Sequence, residues 1–225
     1  MPSRAHLKVP AVVLALVFAA CGGGETESAA AGSQEGEAMA APGESEATGE
    51  TSAAQGAPTC WLQEGVTAEA AAERVSPRDS TSIELEAGTA KVCYGAPSMR
   101  DREIMGELVP YDEPWRMGAD EATALHVTFP AEIAGVAVDP GAYSLMAIPG
   151  PDSWEIIVNR NAERWGIPIT DEVRSEDVGS GSVTPEETDS AVERMRYSFE
   201  EEGSDAATLY LEWENTRVPI PVEAQ

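Results

Sequence analysis

The chain has 225 residues, and its 40 Asp and Glu residues against 14 Lys and Arg residues give a formal net charge of −26 at pH 7. This balance excludes nucleic acid as a predicted partner, because binding it requires a basic face that displaces counterions from the phosphates. Without the N-terminal segments described next, about 165 residues remain, the size of one domain with a sizeable core.

The first residues carry an export signal. Arg4 and Lys8 precede an apolar run from Val9 to Ala20. The run spans about 12 residues, whereas a helix needs roughly 20 to cross the hydrocarbon core of a bilayer. We therefore predict a signal peptide over residues 1–20 rather than a transmembrane anchor.

Cys21 is the predicted lipidation site. Ala19 and Ala20 precede it in a pattern that resembles a bacterial lipobox, although Phe18 stands where such boxes usually carry Leu. By resemblance to Gram-negative lipoproteins, Gly22 after the cysteine favours the outer membrane. The resemblance implies an exported protein that an N-terminal lipid anchors to the membrane, facing the periplasm or the cell surface. An ordinary signal peptide cleaved near an unrelated cysteine is the alternative.

Residues 21–58 are predicted to form a disordered acidic linker. Gly, Ala, Ser, Thr, Gln and Glu dominate from residue 22 onward, and this stretch contains no Lys, Arg or aromatic residue. Such a segment cannot bury enough apolar surface to offset the entropy lost on ordering. Its glutamates repel one another and an anionic membrane surface, which favours a tether over an acidic interaction tail.

The predicted folded domain over residues 59–225 contains two further cysteines, Cys60 and Cys93. In an exported domain of this size, two thiols most simply form a disulfide. The bond would close a loop of about 30 residues and contribute roughly 3 to 4 kcal/mol. Free buried thiols and a catalytic cysteine are the alternatives. Inside this loop, Thr67 is suited to cap a short Ala-rich helix that ends before Pro77.

From Ser80 onward, apolar and polar residues alternate with the period of β-strands. The alternating stretches are 83–85, 125–129, 143–147, 195–199, 209–213 and 218–222. Turn-forming residues separate them at 139–141, 149–152 and 179–181. Roughly eight or more short strands without a long helical pattern predict an all-β fold, an antiparallel β-sandwich of jelly-roll type. Pro219 and Pro221 cannot donate ladder hydrogen bonds, so the last strand is expected at a sheet edge.

Several ordered motifs resemble the bacterial family called domain of unknown function 2911. They lie at 94–97, 102–111, 115–123, 141–150, 154–159, 165–166 and 211–214, within roughly residues 76–222. The resemblance implies a secreted or lipid-anchored β-rich domain and no established activity. Asp120 stands where the family pattern leads us to expect Asn, which puts in doubt any role that needs an amide donor there.

The densest group of chemically able side chains lies between Trp115 and Ala122. Arg116 can donate two forked hydrogen bonds to a carboxylate, either inside the protein or on a ligand. We predict that one end of the sandwich binds a small polar ligand such as a sugar or a carboxylate, because aromatic faces stack while charged groups orient it. The predicted site residues are Arg102, Tyr111, Trp115, Arg116, Asp120, Glu121 and Asn159, with Trp165 as a further wall. The alternative is a structural ion pair between Arg116 and Glu121.

No metal, cofactor or catalytic residue is predicted. His126 is the one histidine beyond the signal sequence, and first-row metals usually require more His or Cys ligands. Asp120 and Glu121 would point to opposite faces of a strand, which does not suit glycoside hydrolysis. Three hypotheses remain: a module that binds a small molecule or an envelope protein, an envelope hydrolase that uses Asp120 and Glu121, and a purely structural lipoprotein.

Overall fold

The computed structural model describes residues 58–225. The predicted signal peptide over residues 1–20, the lipidation site Cys21 and all but the last residue of the linker over residues 21–58 lie outside the described residues. Within the described part, the strands form two antiparallel sheets, which confirms the predicted all-β sandwich. No helix of this part is both long and apolar enough to cross a membrane.

Ten strands and two short helices make up the described chain. In chain order they are α1 Ala68–Ala72, β1 Arg78–Leu85, β2 Gly88–Gly95, β3 Ala124–Val127, β4 Ala131–Ile133, β5 Val136–Val138, β6 Gly141–Ile148, β7 Trp154–Asn159, α2 Asp171–Arg174, β8 Asp177–Val183, β9 Glu186–Glu201 and β10 Ala206–Ala224. The larger sheet has the order β1-β2-β3-β6-β7-β8, and the smaller has the order β5-β4-β10-β9.

The inward residues of the two sheets form one core. Alternation along each strand sends every second side chain inward, so that β2 buries Ala90 and Val92 while β9 buries Met195 and Tyr197. The fully buried Trp154 is the largest core side chain contributed by β7. β2 and β3 are neighbours in the larger sheet although residues 96–123 separate them in sequence. This long connection lies outside the ladders and is available to build a site.

The last strand is not at an edge, which corrects the sequence prediction. The stretches around 209–213 and 218–222 form the single strand β10, which lies between β4 and β9. Its ladder with β9 ends at Arg217, and its ladder with β4 begins at Val222. Pro219 and Pro221 therefore fall between the two ladders, where a missing backbone donor costs no ladder hydrogen bond.

The prediction of a turn at 179–181 is also wrong, since these residues lie within β8. A Cβ atom at Gly181 would come within 1.7 Å of the carbonyl oxygen of Ala134, which belongs to the β4–β5 turn of the other sheet. Glycine at this position serves the close approach of two backbones rather than a change of chain direction.

The disulfide and the short N-terminal helix are confirmed. Cys60 and Cys93 are bonded, with Cα atoms 5.6 Å apart and a sequence separation of 33 residues. The Thr67 Oγ1 accepts a hydrogen bond of 3.2 Å from the Ala70 backbone N–H, which caps α1 as expected. The disulfide ties the segment that contains α1 to β2.

Replacing both Cys60 and Cys93 by Ala should lower the free energy of unfolding by roughly 3 to 4 kcal/mol, because the unfolded chain regains the entropy that closure of this loop removes. Urea unfolding followed by tryptophan fluorescence measures the loss. A reductant should destabilise the wild type but not the double variant. Equal urea midpoints for both proteins without reductant would contradict the prediction.

Candidate functional site

A cavity of about 420 Å³ lies beside the β2–β3 connection. The connection supplies most of the wall, through Pro97, Ser98, Arg100, Arg102, Leu108, Val109, Pro114, Trp115, Arg116, Gly118 and Ala119. The remaining wall comes from the segment before β1, from the loop after β7 and from β10, through Val75, Ser76, Ile167, Ile169 and Trp213. Four separate stretches of the chain therefore meet around one concave surface.

Trp115 anchors the connection to both sheets. Its ring stacks on that of Trp213, with centroids 6.2 Å apart and planes at 17°, and meets the edge of Trp154 at 5.9 Å. Its backbone N–H donates to the Ala147 carbonyl at 2.7 Å, and the Ala147 N–H donates back at 2.9 Å. An aromatic cluster held by the backbone in this way forms a rigid apolar wall for the cavity.

Backbone carbonyls hold the three cavity arginines in place. Arg100 donates through Nη2, Arg102 through Nε and Nη2, and Arg116 through Nε, over distances of 2.7 to 3.2 Å. The acceptors are the carbonyl oxygens of Val75, Met99, Ser98 and Gly118. A carbonyl restrains a guanidinium group without neutralising its charge.

None of these three arginines forms an ion pair within residues 58–225. Among residues 58–225, the arginines in ion pairs are Arg74, Arg174, Arg196 and Arg217. The cavity wall, which belongs to the described part throughout, contains no Asp or Glu. Burial lowers the pKa of Arg116, and the nearby Asp120 only partly opposes this effect. The guanidinium group stays protonated at neutral pH, so the cavity is a positive region in an acidic protein.

Glu121 lies behind the cavity wall and pairs with Arg74. Its side chain is buried, with the residue 1% exposed, and its Oε2 accepts a hydrogen bond of 2.6 Å from Arg74 Nη1. The backbone N–H of Gln63 donates to Oε1 at 3.3 Å. The alternative prediction of a structural pair between Arg116 and Glu121 is therefore wrong, because the cation that pairs with Glu121 is Arg74. Arg74 was missed because nothing in its local sequence links it to a carboxylate 47 residues away.

The environment of Glu121 keeps its carboxylate ionised. Burial alone would raise the pKa, but hydrogen bonds from Arg74 and from backbone N–H groups, together with the Arg74 charge, outweigh burial and lower it. Arg74 also lies 3.8 Å from the Asp120 carboxylate and 5.8 Å from the ring centroid of Trp165. Arg74 and these carboxylates therefore link the segment before β1 to the β2–β3 connection through charged contacts.

The absence of a side chain at Gly166 leaves space for the side chain of Arg116. Its N–H donates to the Asp120 carbonyl at 2.7 Å, and a Cβ atom there would lie 2.6 Å from Arg116 Cδ. Asp120 has a φ of +60°, a left-handed conformation that Asp and Asn tolerate better than most residues. The loop after β7 and the β2–β3 connection therefore pack backbone to backbone at this point.

The structure brings three of the seven predicted site residues to the cavity, namely Arg102, Trp115 and Arg116. Asp120 and Glu121 lie toward Arg74 instead. Among the other lining residues, Arg100 and Trp213 could contact a ligand through a charge and an aromatic ring, and no local pattern in the sequence indicates them because only the fold places them there.

Tyr111 lies apart from this cavity. It lines a different one of about 460 Å³, whose acidic members are Glu103, Glu186, Glu187 and Glu214. The Glu214 carboxylate accepts hydrogen bonds of 3.0 Å from the Ile104 and Met105 backbone N–H groups. This carboxylate therefore holds the start of the connection in place.

Asn159 is fully buried and its side chain is occupied by the protein itself. Its Nδ2 donates to the Val173 carbonyl at 2.6 Å and to Asp177 Oδ1 at 2.7 Å, while its Oδ1 accepts from the Asn161 N–H at 2.9 Å. These bonds tie β7 to the segment around α2. The structure does not bring Asn159 to the cavity.

The described residues contain no group of three or more His, Cys, Asp and Glu side chains placed to hold a metal ion. His126 lies on β3, between Lys91 of β2 and Ala142 of β6. Burial and the charges of Lys91 and Arg78 lower its pKa, so the imidazole is neutral at pH 7.

Comparison with known proteins identifies a family. A model described as "Protein of unknown function (DUF2911)" matches residues 76–222, well over half of the chain. The chain belongs to this family. The match begins at Ser76, within the cavity wall, and includes the whole β2–β3 connection, so the DUF2911 region contains nearly all of the site. Comparisons with curated proteins and with solved structures found no match.

Replacing Arg74 by Met should destabilise the domain at pH 7 by about 3 to 5 kcal/mol, because it leaves the Glu121 carboxylate buried without its cation. The lowered pKa of Glu121 stabilises the wild type above the ordinary carboxyl value of 4.5, and this contribution disappears as the pH falls through the lower folded value. The difference between the two proteins should therefore shrink in acid. Urea unfolding at several pH values measures it.

The matched control is Arg160→Met, which removes an exposed arginine from the loop after β7. Its effect should stay within about 0.5 kcal/mol, as for most surface substitutions. A loss for Arg74→Met that is equally small, or that does not depend on pH, would show that the ion pair contributes little.

Proposed function

We propose that this protein is an exported, lipid-anchored binding protein of the cell envelope, and that the cavity beside the β2–β3 connection is its site for a small ligand. The observation that carries the proposal is the meeting of Arg102, Trp115 and Arg116 at one concave surface. Ligand sites combine mostly apolar walls with a few fixed polar groups, and this cavity has both features.

The proposed location of the protein rests on its N-terminal sequence. An apolar run that is too short to span a bilayer, followed by a lipobox-like Cys21, supports export and lipid attachment. The Cys60–Cys93 disulfide supports the same location, because disulfides persist in oxidising compartments outside the cytosol. The acidic linker would hold the site away from the membrane surface.

The environment of Glu121 favours binding over hydrolysis. A general acid needs a pKa near the working pH and access to its substrate, whereas Glu121 is buried, ionised and bonded to Arg74. Asp120 does not line the cavity. A purely structural role would leave the β2–β3 connection closed on itself, and the open cavity beside Arg116 argues against this hypothesis.

The proposal is tested by thermal unfolding of the full protein in detergent, alone and with sugars, mono- and dicarboxylates, cell-wall fragments and Ca²⁺. A ligand at about 100 times its dissociation constant should add roughly 2.7 kcal/mol, which raises the melting temperature by several degrees. Arg116→Gln should lose this rise, because it removes a guanidinium group from the cavity, while Arg160→Gln should keep it. The proposal fails if every compound shifts wild type and Arg116→Gln equally.

A further inference from the structure

We infer that the ligand of the cavity is an organic carboxylate with an aromatic or branched apolar body. The inference rests on the proposed function and deepens it by naming the class of ligand. Three features of the cavity carry it: guanidinium groups that form no ion pair within residues 58–225, an exposed apolar rim and a position in a strongly acidic protein.

The first feature selects an anion. Arg100, Arg102 and Arg116 are three of the 14 basic side chains of a chain with 40 acidic ones, yet none of the three is in an ion pair within residues 58–225. Other acidic groups lie near them without forming such a pair, since Glu193 accepts from the Arg100 backbone N–H and Asp120 lies near Arg116. A ligand carboxylate would supply the missing charge through forked hydrogen bonds.

The same lining argues against a sugar. Sugar hydroxyl groups need acceptors as well as donors, and the side chains that line the cavity offer only two hydroxyl acceptors, those of Ser76 and Ser98. A neutral ligand bound against the three arginines would displace water from their guanidinium groups and offer no negative charge in its place, which costs free energy.

The second feature requires an apolar body. Three large apolar side chains at the cavity are well exposed: Val75 at 70%, Ile167 at 52% and Leu108 at 44%. The Trp115 ring lies among the same lining residues. An inorganic anion would leave these surfaces in water, whereas an aromatic or branched ligand would cover them and gain from their burial. The cavity volume of about 420 Å³ is within the range of small-molecule sites.

The third feature favours a carboxylate over a phosphate ester. The protein has a formal charge of −26, and its field opposes the approach of each additional negative charge. A carboxylate carries one charge at pH 7, whereas a phosphate ester carries roughly 1.5 to 2. The local arginines attract both groups, but the rest of the protein repels the carboxylate less.

Calorimetric titration of the full protein in detergent tests the inference with four probes: 3-phenylpropionate, its neutral amide, phenyl phosphate and acetate. We expect 3-phenylpropionate to bind at least about tenfold more tightly than each of the others, a factor that corresponds to roughly 1.4 kcal/mol. Added NaCl should weaken binding of the carboxylate and leave that of the amide unchanged, since salt screens only the charged contact.

Variants locate the binding. Arg116→Gln should weaken binding of 3-phenylpropionate at least about tenfold, and Arg160→Gln should leave it unchanged. Because Arg116 packs against Gly166, its replacement risks a folding defect, so Arg102→Gln at the exposed side of the cavity provides an independent test. Its binding loss should accompany an unchanged melting temperature of the free protein.

The outcomes separate the two proposals. Equal affinity for the amide and the carboxylate, or tighter binding of phenyl phosphate or acetate, overturns the ligand class while the cavity remains a binding site. If a sugar from the thermal panel binds through Arg116 and 3-phenylpropionate does not, the proposed function stands and this inference fails. If no probe or panel compound binds in a way that depends on Arg102 or Arg116, both fail.

Discussion

The buried carboxylate of Glu121 is the constraint on which the site depends. An ion moved out of water costs several kcal/mol unless a partner and further hydrogen bonds compensate it, so Glu121 holds Arg74 and the Gln63 N–H in fixed positions. Arg74 is followed directly by Val75 and Ser76 of the cavity wall. The backbone of Glu121 also forms an isolated antiparallel β-bridge with Trp165, two residues before Ile167. The carboxylate of Glu121 thus ties the segment of Val75 and Ser76 to the β2–β3 connection, and the backbone of the same residue joins the loop after β7.

The cavity is a product of the connection between two adjacent strands. β2 and β3 pair directly, so the connection over residues 96–123 has to leave the sheet and return to it. Long connections of this kind are commonly functional, because a rigid scaffold supports them while their sequence is free of ladder constraints. Trp115 fixes the connection to the aromatic core, and backbone carbonyls hold its arginines. The arginine side chains of the proposed site are therefore restrained by the protein itself, which would reduce the entropy lost on binding.

The arginines of the described residues differ in the partners of their charges. Arg196 pairs with Glu212 at the surface, and such exposed pairs contribute little because solvent screens them and side-chain entropy opposes them. Arg74 has a structural partner that is buried. The cavity arginines have neither kind of partner, although acidic residues outnumber basic ones by 40 to 14. Other arginines of residues 58–225 also lack an ion pair, and the cavity arginines differ from them in sharing one concave wall that contains no Asp or Glu.

Local patterns in the sequence indicated parts of β1, β3, β6, β9 and β10, the helix cap at Thr67 and the pairing of the cysteines. These features follow from alternation, capping and thiol chemistry, which act over short distances or between few candidates. The same alternation did not indicate β2, β4, β5, β7 or β8. Local patterns also singled out Trp115 and Arg116. Only the tertiary structure decided the neighbours of β10, the role of Gly181, the Arg74–Glu121 pair and the presence of Arg100 and Trp213 at the cavity. The physical reason is that contacts between segments far apart in sequence depend on sheet order and backbone approach, which no local periodicity records.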